Sequence, residues 1–346
     1  MKTILIVTDA WYPQINGVVR ALDKLAHVIR EQGYKVEFLE PSAFPTVPMP
    51  TYQEIRLSFT IPSEIKKRIE TVAPDAIHIA TEGPLGAMAR RYCNKRKIPF
   101  STSFHTQYPE YIRARAPIPL RWTYAYFRRF HASAKYCLVS SKTVANRLRE
   151  RGFDNIIDWS LGVDLDIFNP SFRDENFCTQ KIGGKQLKQP IFLFVGRVAV
   201  EKNIEAFLKL DLPGTKLVVG SGPLLGELKK KYKDVVFAGS KQGEELSRFY
   251  ASSDCFVFPS KTDTFGLVLL EAMASGLPVA ALPVQGPLDV ISKDCDAGVL
   301  DFDLQKAALE AVKIPREKCR KYASKFTWQR SAKIFLEHLP AIEKNK

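Results

Sequence analysis

The stretch Pro190-Ile-Phe-Leu-Phe-Val195-Gly-Arg-Val-Ala-Val200-Glu-Lys-Asn-Ile-Glu-Ala-Phe207 decides the fold. Five apolar residues follow a proline and stop at a glycine, which reads as a strand buried on both faces. Arg197 and Lys202 then fall at the carboxyl end of that strand, just before a helix start. The strand matters because it is the second of its kind. Thr3–Thr8 is the first, and strand and helix patterns alternate from there onward. The first half reads as strands at Thr3–Thr8, Lys35–Leu39, Ala76–Ile79, Phe100–Ser103 and Tyr136–Ser140. Helical patterns lie between them at Val19–Ile29, Ile65–Val72, Leu85–Lys95 and Leu120–Ala134. The rhythm breaks over Leu161–Pro170 and the polar stretch to Gln189. It restarts at Ile191–Val195 and continues through Leu217–Val219, Val235–Phe237, Cys255–Phe258 and Val279–Ala281. Such alternation predicts an α/β chain of two doubly wound domains, joined near residues 165–187. The final helix, Trp328–Leu339, fits either of them.

Length and composition agree. A chain of 346 residues with 45% apolar and 25% charged residues can build two ordinary cores. Its apolar runs are too short to span a bilayer. The opening MKTILIVTDAWYP has only Ile4–Val7 as an apolar run before Asp9, so it reads as a buried first strand and not as a secretory signal. The cysteines (Cys93, Cys137, Cys178, Cys255, Cys295, Cys319) are scattered without a CxxC pair, as expected for reduced thiols in a cytosolic enzyme. The formal charge is +14. Between Glu110 and Glu150 there is no acidic residue, while Arg113, Arg115, Arg121, Arg128, Arg129, Lys135, Lys142, Arg147 and Arg149 all fall there. A block of one sign implies an anionic partner: phosphates, nucleic acid or a membrane surface.

The chemistry concentrates in Ser260-Lys-Thr-Asp-Thr-Phe-Gly-Leu-Val-Leu-Leu-Glu271. Asp263 and Glu271 flank a Thr-Phe-Gly turn that opens a helix. Amides near Phe265, Gly266, Leu267 and Val268 would cradle a phosphate at the positive end of that helix. Glu271 would take ribose hydroxyls, and Asp263 would sit beside whatever the phosphate carries. Taken alone, the segment is also compatible with an ordinary helix start and an incidental aspartate. Arg197 and Lys202 supply charge for a diphosphate, Arg by two N–H groups and Lys as a compact cation. Gly220-Ser-Gly222-Pro-Leu-Leu-Gly226 departs from the dinucleotide fingerprint by one residue and reads as backbone lining a nucleotide pocket. In the first half, Gly17 after Asn16 permits close backbone approach to a ligand, and His105 follows a strand end. His27, His78, His131 and His338 show no paired acid or nucleophile along the sequence, and neither a hydrolase triad nor a histidine metal site is supported.

These residues together resemble the retaining glycosyltransferases of family 4, whose GT-B architecture sets two Rossmann-like domains with parallel sheets facing one another. The resemblance covers nearly the whole chain and rests on Asn16-Gly17, His105, Gly162-Val-Asp164, Gly196-Arg197 with Lys202, Gly220-x-Gly-Pro223 and the Asp263/Glu271 pair. Asp263 stands where the family usually has glutamate. The loop Thr8–Arg20 with Thr262–Gly266 looks most like the branch holding sulfoquinovosyl-diacylglycerol synthases and bacterial lipid mannosyltransferases. The resemblance implies an acceptor-side domain over 1–170, a nucleotide-sugar domain over 187–327, and a C-terminal helix, within 328–346, that joins the first. It implies Arg197 and Lys202 on the diphosphate of a UDP- or GDP-sugar, with Gly266 and Leu267 adding amides. Glu271 would bind ribose, and Gly196, Gly222, Ser240 and Lys241 would line the nucleotide. Asp263 and His105 would hold the donor sugar from opposite domains, with Asn16 and Gly17 closing over the phosphate. Asp9, Trp11 and Tyr108 are assigned to the acceptor from their loops.

The reading that follows is a metal-independent, retaining hexosyltransferase without a cofactor, acting by front-face substitution on a membrane lipid, a glycerolipid above all. Trp122 among Arg121, Arg128 and Arg129 suits an anionic headgroup surface, which implies a cytoplasmic enzyme held peripherally at the inner membrane. On a helical projection Trp122, Tyr126, Arg129 and Phe130 share a face. The competing readings are a transferase with a soluble saccharide acceptor, a nucleotide-sugar epimerase, a decayed scaffold and a nucleic-acid binder; the last lacks any recognition motif.

Overall fold

In the computed structural model, residues 1–14, 16–49, 52–292 and 294–343 are described. They form two compact units, one of residues 1–161 with 328–346 and one of residues 162–327. The first unit begins with β1 (Thr3–Val7), whose last four residues are buried. Helix α1 (Gly17–Glu31) follows because Asn16 caps it, its side chain accepting from the amides of Val18 and Val19, both at 3.0 Å. The helix buries Val19, Leu22, Leu25, Ala26 and Ile29, the face its spacing predicts. Next come β2 (Lys35–Leu39), the hairpin β3 (Thr46–Met49) and β4 (Tyr52–Ser58), α2 (Pro62–Val72), β5 (Ala76–Ile79) and α3 (Pro84–Arg96). Then follow β6 (Ser101–Phe104), α4 (Tyr108–Arg115), α5 (Leu120–His131), β7 (Tyr136–Val139), α6 (Lys142–Glu150) and β8 (Ile156–Asp158). Among the described residues the main sheet runs β2-β1-β5-β6-β7-β8, all parallel, and the β3–β4 hairpin stands outside it.

The second unit opens with a small antiparallel pair, β9 (Lys181–Ile182) and β10 (Lys185–Gln186), within the polar stretch where the sequence shows no strand signal. Its main elements are β11 (Ile191–Val195), α7 (Ile204–Leu208), β12 (Thr215–Val219), α8 (Leu225–Lys231), β13 (Val236–Gly239), α9 (Gly243–Ser252) and β14 (Cys255–Phe258). After them come α10 (Leu267–Ala274), β15 (Val279–Ala281), α11 (Pro287–Val290), β16 (Gly298–Leu300), α12 (Leu304–Ala311) and α13 (Arg316–Ala323). The parallel order β13-β12-β11-β14-β15-β16 is the Rossmann order 3-2-1-4-5-6. Every residue of β11 and β14 is buried, as strands covered on both faces must be.

The unit boundary falls earlier than residues 165–187. Residues 162–170 belong with the second unit because Arg320 of α13 donates to the carbonyls of Phe168, Ala274 and Leu165 at 2.6, 2.8 and 2.9 Å. The last helix, α14 (Trp328–Glu337), packs on the first unit. Phe335 meets the His78 ring edge-on at 4.8 Å, Trp159 Nε1 donates to the Ser331 carbonyl at 3.1 Å, and the amide of Ile342 donates to the Asp75 carbonyl at 2.8 Å. Residues 344–346 of the expected C-terminal segment lie outside the described residues. No helix among the described residues is long and apolar enough to cross a membrane.

Candidate functional site

In the second sheet, β11 and β14 are neighbours, but the chain leaves them toward opposite edges: β12 lies on one side and β15 on the other. That divergence opens a crevice between the loops that follow the two strands, where ligands bind in open α/β sheets. The loops are tied together. Asn203 Nδ2 donates to the Pro259 carbonyl at 2.9 Å, Thr262 Oγ1 to the Glu201 carbonyl at 3.1 Å, and Lys202 Nζ to Asp263 Oδ1. Arg197 Nε lies 3.8 Å from Glu201. Gly266, at φ +84°, turns the chain into α10, and no side chain caps that helix start. Phe265 is buried, while Gly266, Leu267 and Val268 are partly exposed, so their amides sit at an uncapped positive helix end within the crevice region. Glu271, only 6% exposed, is oriented by the Tyr250 hydroxyl, which donates to Oε2 at 3.0 Å.

The glycine motif has an internal cause. A Cβ on Gly220 would lie 1.9 Å from the Gly196 carbonyl oxygen, and one on Gly222 would lie 2.4 Å from that of Val198. Two strand-end loops pass too closely for side chains. Ser240 Oγ bonds Ser221 Oγ at 2.9 Å, and Lys241 pairs with Glu245 at 2.5 Å. Arg197, Lys202, Asp263, Gly196, Gly222, Ser240, Lys241, Phe265 to Val268 and Glu271 therefore all belong to one unit and cluster at or near its strand ends.

In the first unit the corresponding divergence lies between β1 and β5, and Asp9 occupies it. Its carboxylate accepts from the amides of Leu85 at 2.8 Å and Gly86 at 3.3 Å and from Thr81 Oγ1 at 2.8 Å. Burial raises its pKa against the lowering effect of these donors. Asp9 thus caps α3, with both of its oxygens accepting from the chain itself. Trp11 stacks on Phe38, ring centroids 4.0 Å apart, and Tyr108 lies parallel to Phe127 at 6.1 Å. Asn16 is spent on capping α1. A Cβ on Gly17 would meet nothing within 4 Å and its φ is not positive, so the described chain itself does not require glycine there. His105, after β6, is buried beside Trp159 at 5.6 Å. Burial lowers its pKa to about 4, and Nε2 has no hydrogen-bond partner among the described residues.

The histidine reading needs correction. His131 does have an acid: Nε2 lies 3.2 Å from Glu82 with both side chains buried, while Nδ1 lies 2.9 Å from Thr102 Oγ1 and 3.5 Å from Cys137 Sγ. Burial works against its charge, but Cys137 and Glu82 outweigh it and raise the pKa to about 10. His27 pairs with Glu31 at 3.2 Å on the surface. His78 sits between Ser101 and Ser103 hydroxyls at 2.9 and 2.8 Å, and burial keeps its pKa low. The His131 and His78 contacts cross between strands and helices that sequence spacing does not relate, whereas His27–Glu31 is an i,i+4 pair within α1 that the sequence reading passed over. The aromatic face of α5 is corrected too. Phe130 is buried with Tyr124 and Phe127, and the exposed face carries Arg121, Trp122 (64% exposed), Tyr126 (55% exposed), Arg128 and Arg129. The side chains of Tyr111, Arg115 and Cys178 lie outside the described residues. Sequence reasoning passed over Tyr250, which aims Glu271, and the Gln285-Gly286 turn after β15; the Gly-Pro pair following an apolar strand was the available signal for the latter.

Two family models match this chain: Glycosyltransferase Family 4 over residues 15–167 and Glycosyl transferases group 1 over residues 178–325. It is 34% identical over 315 residues to sulfoquinovosyl transferase SQD2 of Arabidopsis thaliana, covering 85% of this chain and 62% of that protein. This chain therefore spans less than two thirds of the length of that relative. It is 27% identical over 329 residues to the alpha-monoglucosyldiacylglycerol synthase of Streptococcus pneumoniae, covering 80% of this chain and 70% of that one. The solved sucrose-phosphate synthase of Thermosynechococcus elongatus superposes with a TM-score of 0.76 at 19% identity, covering 97% of this chain and 98% of that one. With two Rossmann-like units, consecutive family matches over both and relatives along most of its length, the chain belongs to the family 4 glycosyltransferases of GT-B fold.

Proposed function

We propose that this chain is a retaining hexosyltransferase that moves a hexose from a UDP- or GDP-sugar to a membrane glycerolipid without a metal ion. The observation that carries the donor half is the second unit's crevice: an uncapped helix start at Gly266–Val268 beside Lys202, Asp263 and Arg197. In this reading Arg197 and Lys202 balance the negative charge that grows as the diphosphate leaves, and the α10 amides hold its distal phosphate. Glu271, aimed by Tyr250, takes the ribose hydroxyls. Asp263 takes a hydroxyl of the sugar through Oδ2, releasing part of its hold on Lys202 to the arriving phosphate. The reaction is a front-face substitution, with the departing phosphate oxygen accepting the proton of the attacking hydroxyl. Positioning and electrostatic stabilisation do the work.

The lipid acceptor is supported by the diacylglycerol product named for the Streptococcus relative and by the basic, aromatic outer face of α5. That face suits a peripheral place on the cytoplasmic leaflet of the inner membrane. The test is release of nucleoside diphosphate by the purified protein from a panel of UDP- and GDP-hexoses. Release is measured alone, with diacylglycerol vesicles and with soluble saccharides, with and without EDTA. Release that needs the lipid and survives EDTA, with the donor's anomeric configuration kept in the product, is expected. Donor conversion without an acceptor would indicate an epimerase, turnover with saccharides alone a soluble acceptor, and loss in EDTA a metal-assisted leaving group.

A further inference from the structure

Three polar side-chain atoms at the carboxyl edge of the second sheet are buried yet have no hydrogen-bond partner among the described residues: Ser260 Oγ, Asp263 Oδ2 and Gln285 Nε2. Buried polar atoms almost always find partners, so a cluster of exceptions calls for a ligand or a specific cause. Ser260 and Asp263 lie on the loop after β14, and Gln285 on the turn after β15. These strands are parallel neighbours, with Phe258 opposite Ala281. The backbone brings the two loops together. Gly286 has φ +88°, and a Cβ there would lie 2.8 Å from the Asp263 carbonyl oxygen and 3.6 Å from that of Phe265. Only glycine permits that approach, and it sets Gln285 beside the turn that carries Asp263.

The chemistry of the set narrows what it holds. A carboxylate oxygen accepts, and an amide NH2 donates. A phosphate would satisfy Gln285 but meet repulsion from Asp263. An ammonium would satisfy Asp263 and leave Gln285 unmet. A hydroxyl satisfies both at once, its proton going to Asp263 Oδ2 and its oxygen accepting from Gln285 Nε2. Lys202, bound to Asp263 Oδ1, leaves the other carboxylate oxygen for this contact.

We propose that Gln285 is a specificity-determining residue of the donor site, gripping with Asp263 a single free hydroxyl of the hexose. The protein then selects nucleotide-hexoses that carry an unmodified hydroxyl at one ring position and rejects donors that lack it. This rests on the reading of the crevice as a nucleotide-sugar site. A pocket built to hydrogen-bond a hydroxyl rejects the analogue without it, because its own polar groups are left unpaired.

The experiment uses the full chain with UDP-glucose and GDP-mannose, their 2-, 3-, 4- and 6-monodeoxy analogues, and free UDP and GDP. Gln285→Met keeps the length of the side chain and removes the donor; Gln285→Glu serves if the methionine variant melts early. Gln285→Met is expected to lower kcat/KM for the parent donor about tenfold to a hundredfold and to leave diphosphate affinity within twofold. With one monodeoxy analogue, and only one, wild type and Gln285→Met should react equally, and Asp263→Asn should be blind to the same analogue. An equal loss on every analogue, no loss on any donor, or a matching loss of diphosphate affinity would overturn the proposal while the donor-site reading stands. If the wild-type chain binds neither diphosphate nor nucleotide-hexose, the donor-site reading fails and this inference goes with it.

Discussion

Both units place a helix start at the divergence point of a parallel sheet, and they use it in opposite ways. In the first, the amides that open α3 are taken by Asp9 from the loop after β1. In the second, the start of α10 has no side-chain cap, and the loop after β11 brings Lys202 and Arg197 instead of a carboxylate cap. A helix start attracts one anion. The first unit supplies its own; on the proposed function the second receives one from outside, the donor's phosphate. Position in the fold marks a crevice in each half, and on the proposed function the sign of the residue on the neighbouring loop decides which crevice takes phosphate.

The sharpest way to break this contrast is to remove the charge from each crevice in turn. Lys202→Ala and Arg197→Ala are each expected to cost roughly 3 kcal/mol in the transition state, about a hundredfold or more in kcat, with little change in melting temperature. Asp9→Ala should do the reverse. It is expected to lose about 1–3 kcal/mol of stability, since it strips a cap and leaves buried amides unmet, while nucleoside diphosphate affinity holds. Calorimetry with UDP and GDP alongside thermal melting separates the two. Comparable loss of diphosphate binding in Asp9→Ala would erase the distinction between the crevices.

A second contrast concerns pH, because all five histidines lie in the first unit. Burial holds His105 down to about 4 and His78 low as well. The unfolded chain therefore binds more protons than the folded one as pH falls below about 6.5, and stability conferred by the neutral rings is lost from there toward about 4. His131 has the opposite sign. Raised to about 10, it stabilises fully below about 6.5 and loses that contribution as pH rises through about 10. Hydrogen exchange followed across pH should show protection of β6 and β5 highest between these limbs, with β11 and β14 less sensitive. His131→Gln should flatten the alkaline limb alone. An unchanged alkaline limb would mean that the pair with Glu82 is not charged.

Much of the architecture was legible because it depends on local pattern. The apolar runs at Lys35–Leu39, Ala76–Ile79 and Ile191–Val195 are strands with those bounds, and the Leu120 helix ends within three residues of its expected stop. The Asp263-to-Glu271 segment was readable for the same reason, since a turn and the first turns of a helix are contiguous in sequence. What escaped depends on contacts across strands. The cap from Asp9 to α3 spans more than seventy residues, and the pairing of His131 with Glu82 nearly fifty. The β3–β4 and β9–β10 pairs carry too little apolar alternation to be seen. Gln285 escaped because one amide has no pattern; only burial without a partner singles it out.

The smallest expected effect, and the one that extends the contrast to the surface, belongs to α5. The projection from sequence placed Phe130 with Trp122 and Tyr126, whereas the helix buries Phe130, Tyr124 and Phe127 against the sheet and turns Trp122 and Tyr126 outward among Arg121, Arg128 and Arg129. The core thus claims three of the five aromatics, and the outward face keeps what a headgroup layer favours: rings with a polar edge and long cationic chains. Each basic residue near an anionic bilayer contributes about 1 kcal/mol, screened by salt. Replacing Arg121, Arg128 and Arg129 with Ser should therefore weaken co-sedimentation with anionic vesicles by up to about a hundredfold. Binding to zwitterionic vesicles and affinity for UDP or GDP should not change. Trp122→Ala should weaken vesicle binding less, and in a way that added salt does not mimic. Wild-type protein that ignores anionic vesicles at low salt, yet transfers hexose to a soluble saccharide at full rate, would leave α5 as an ordinary solvated face and return the acceptor question to the first unit's loops.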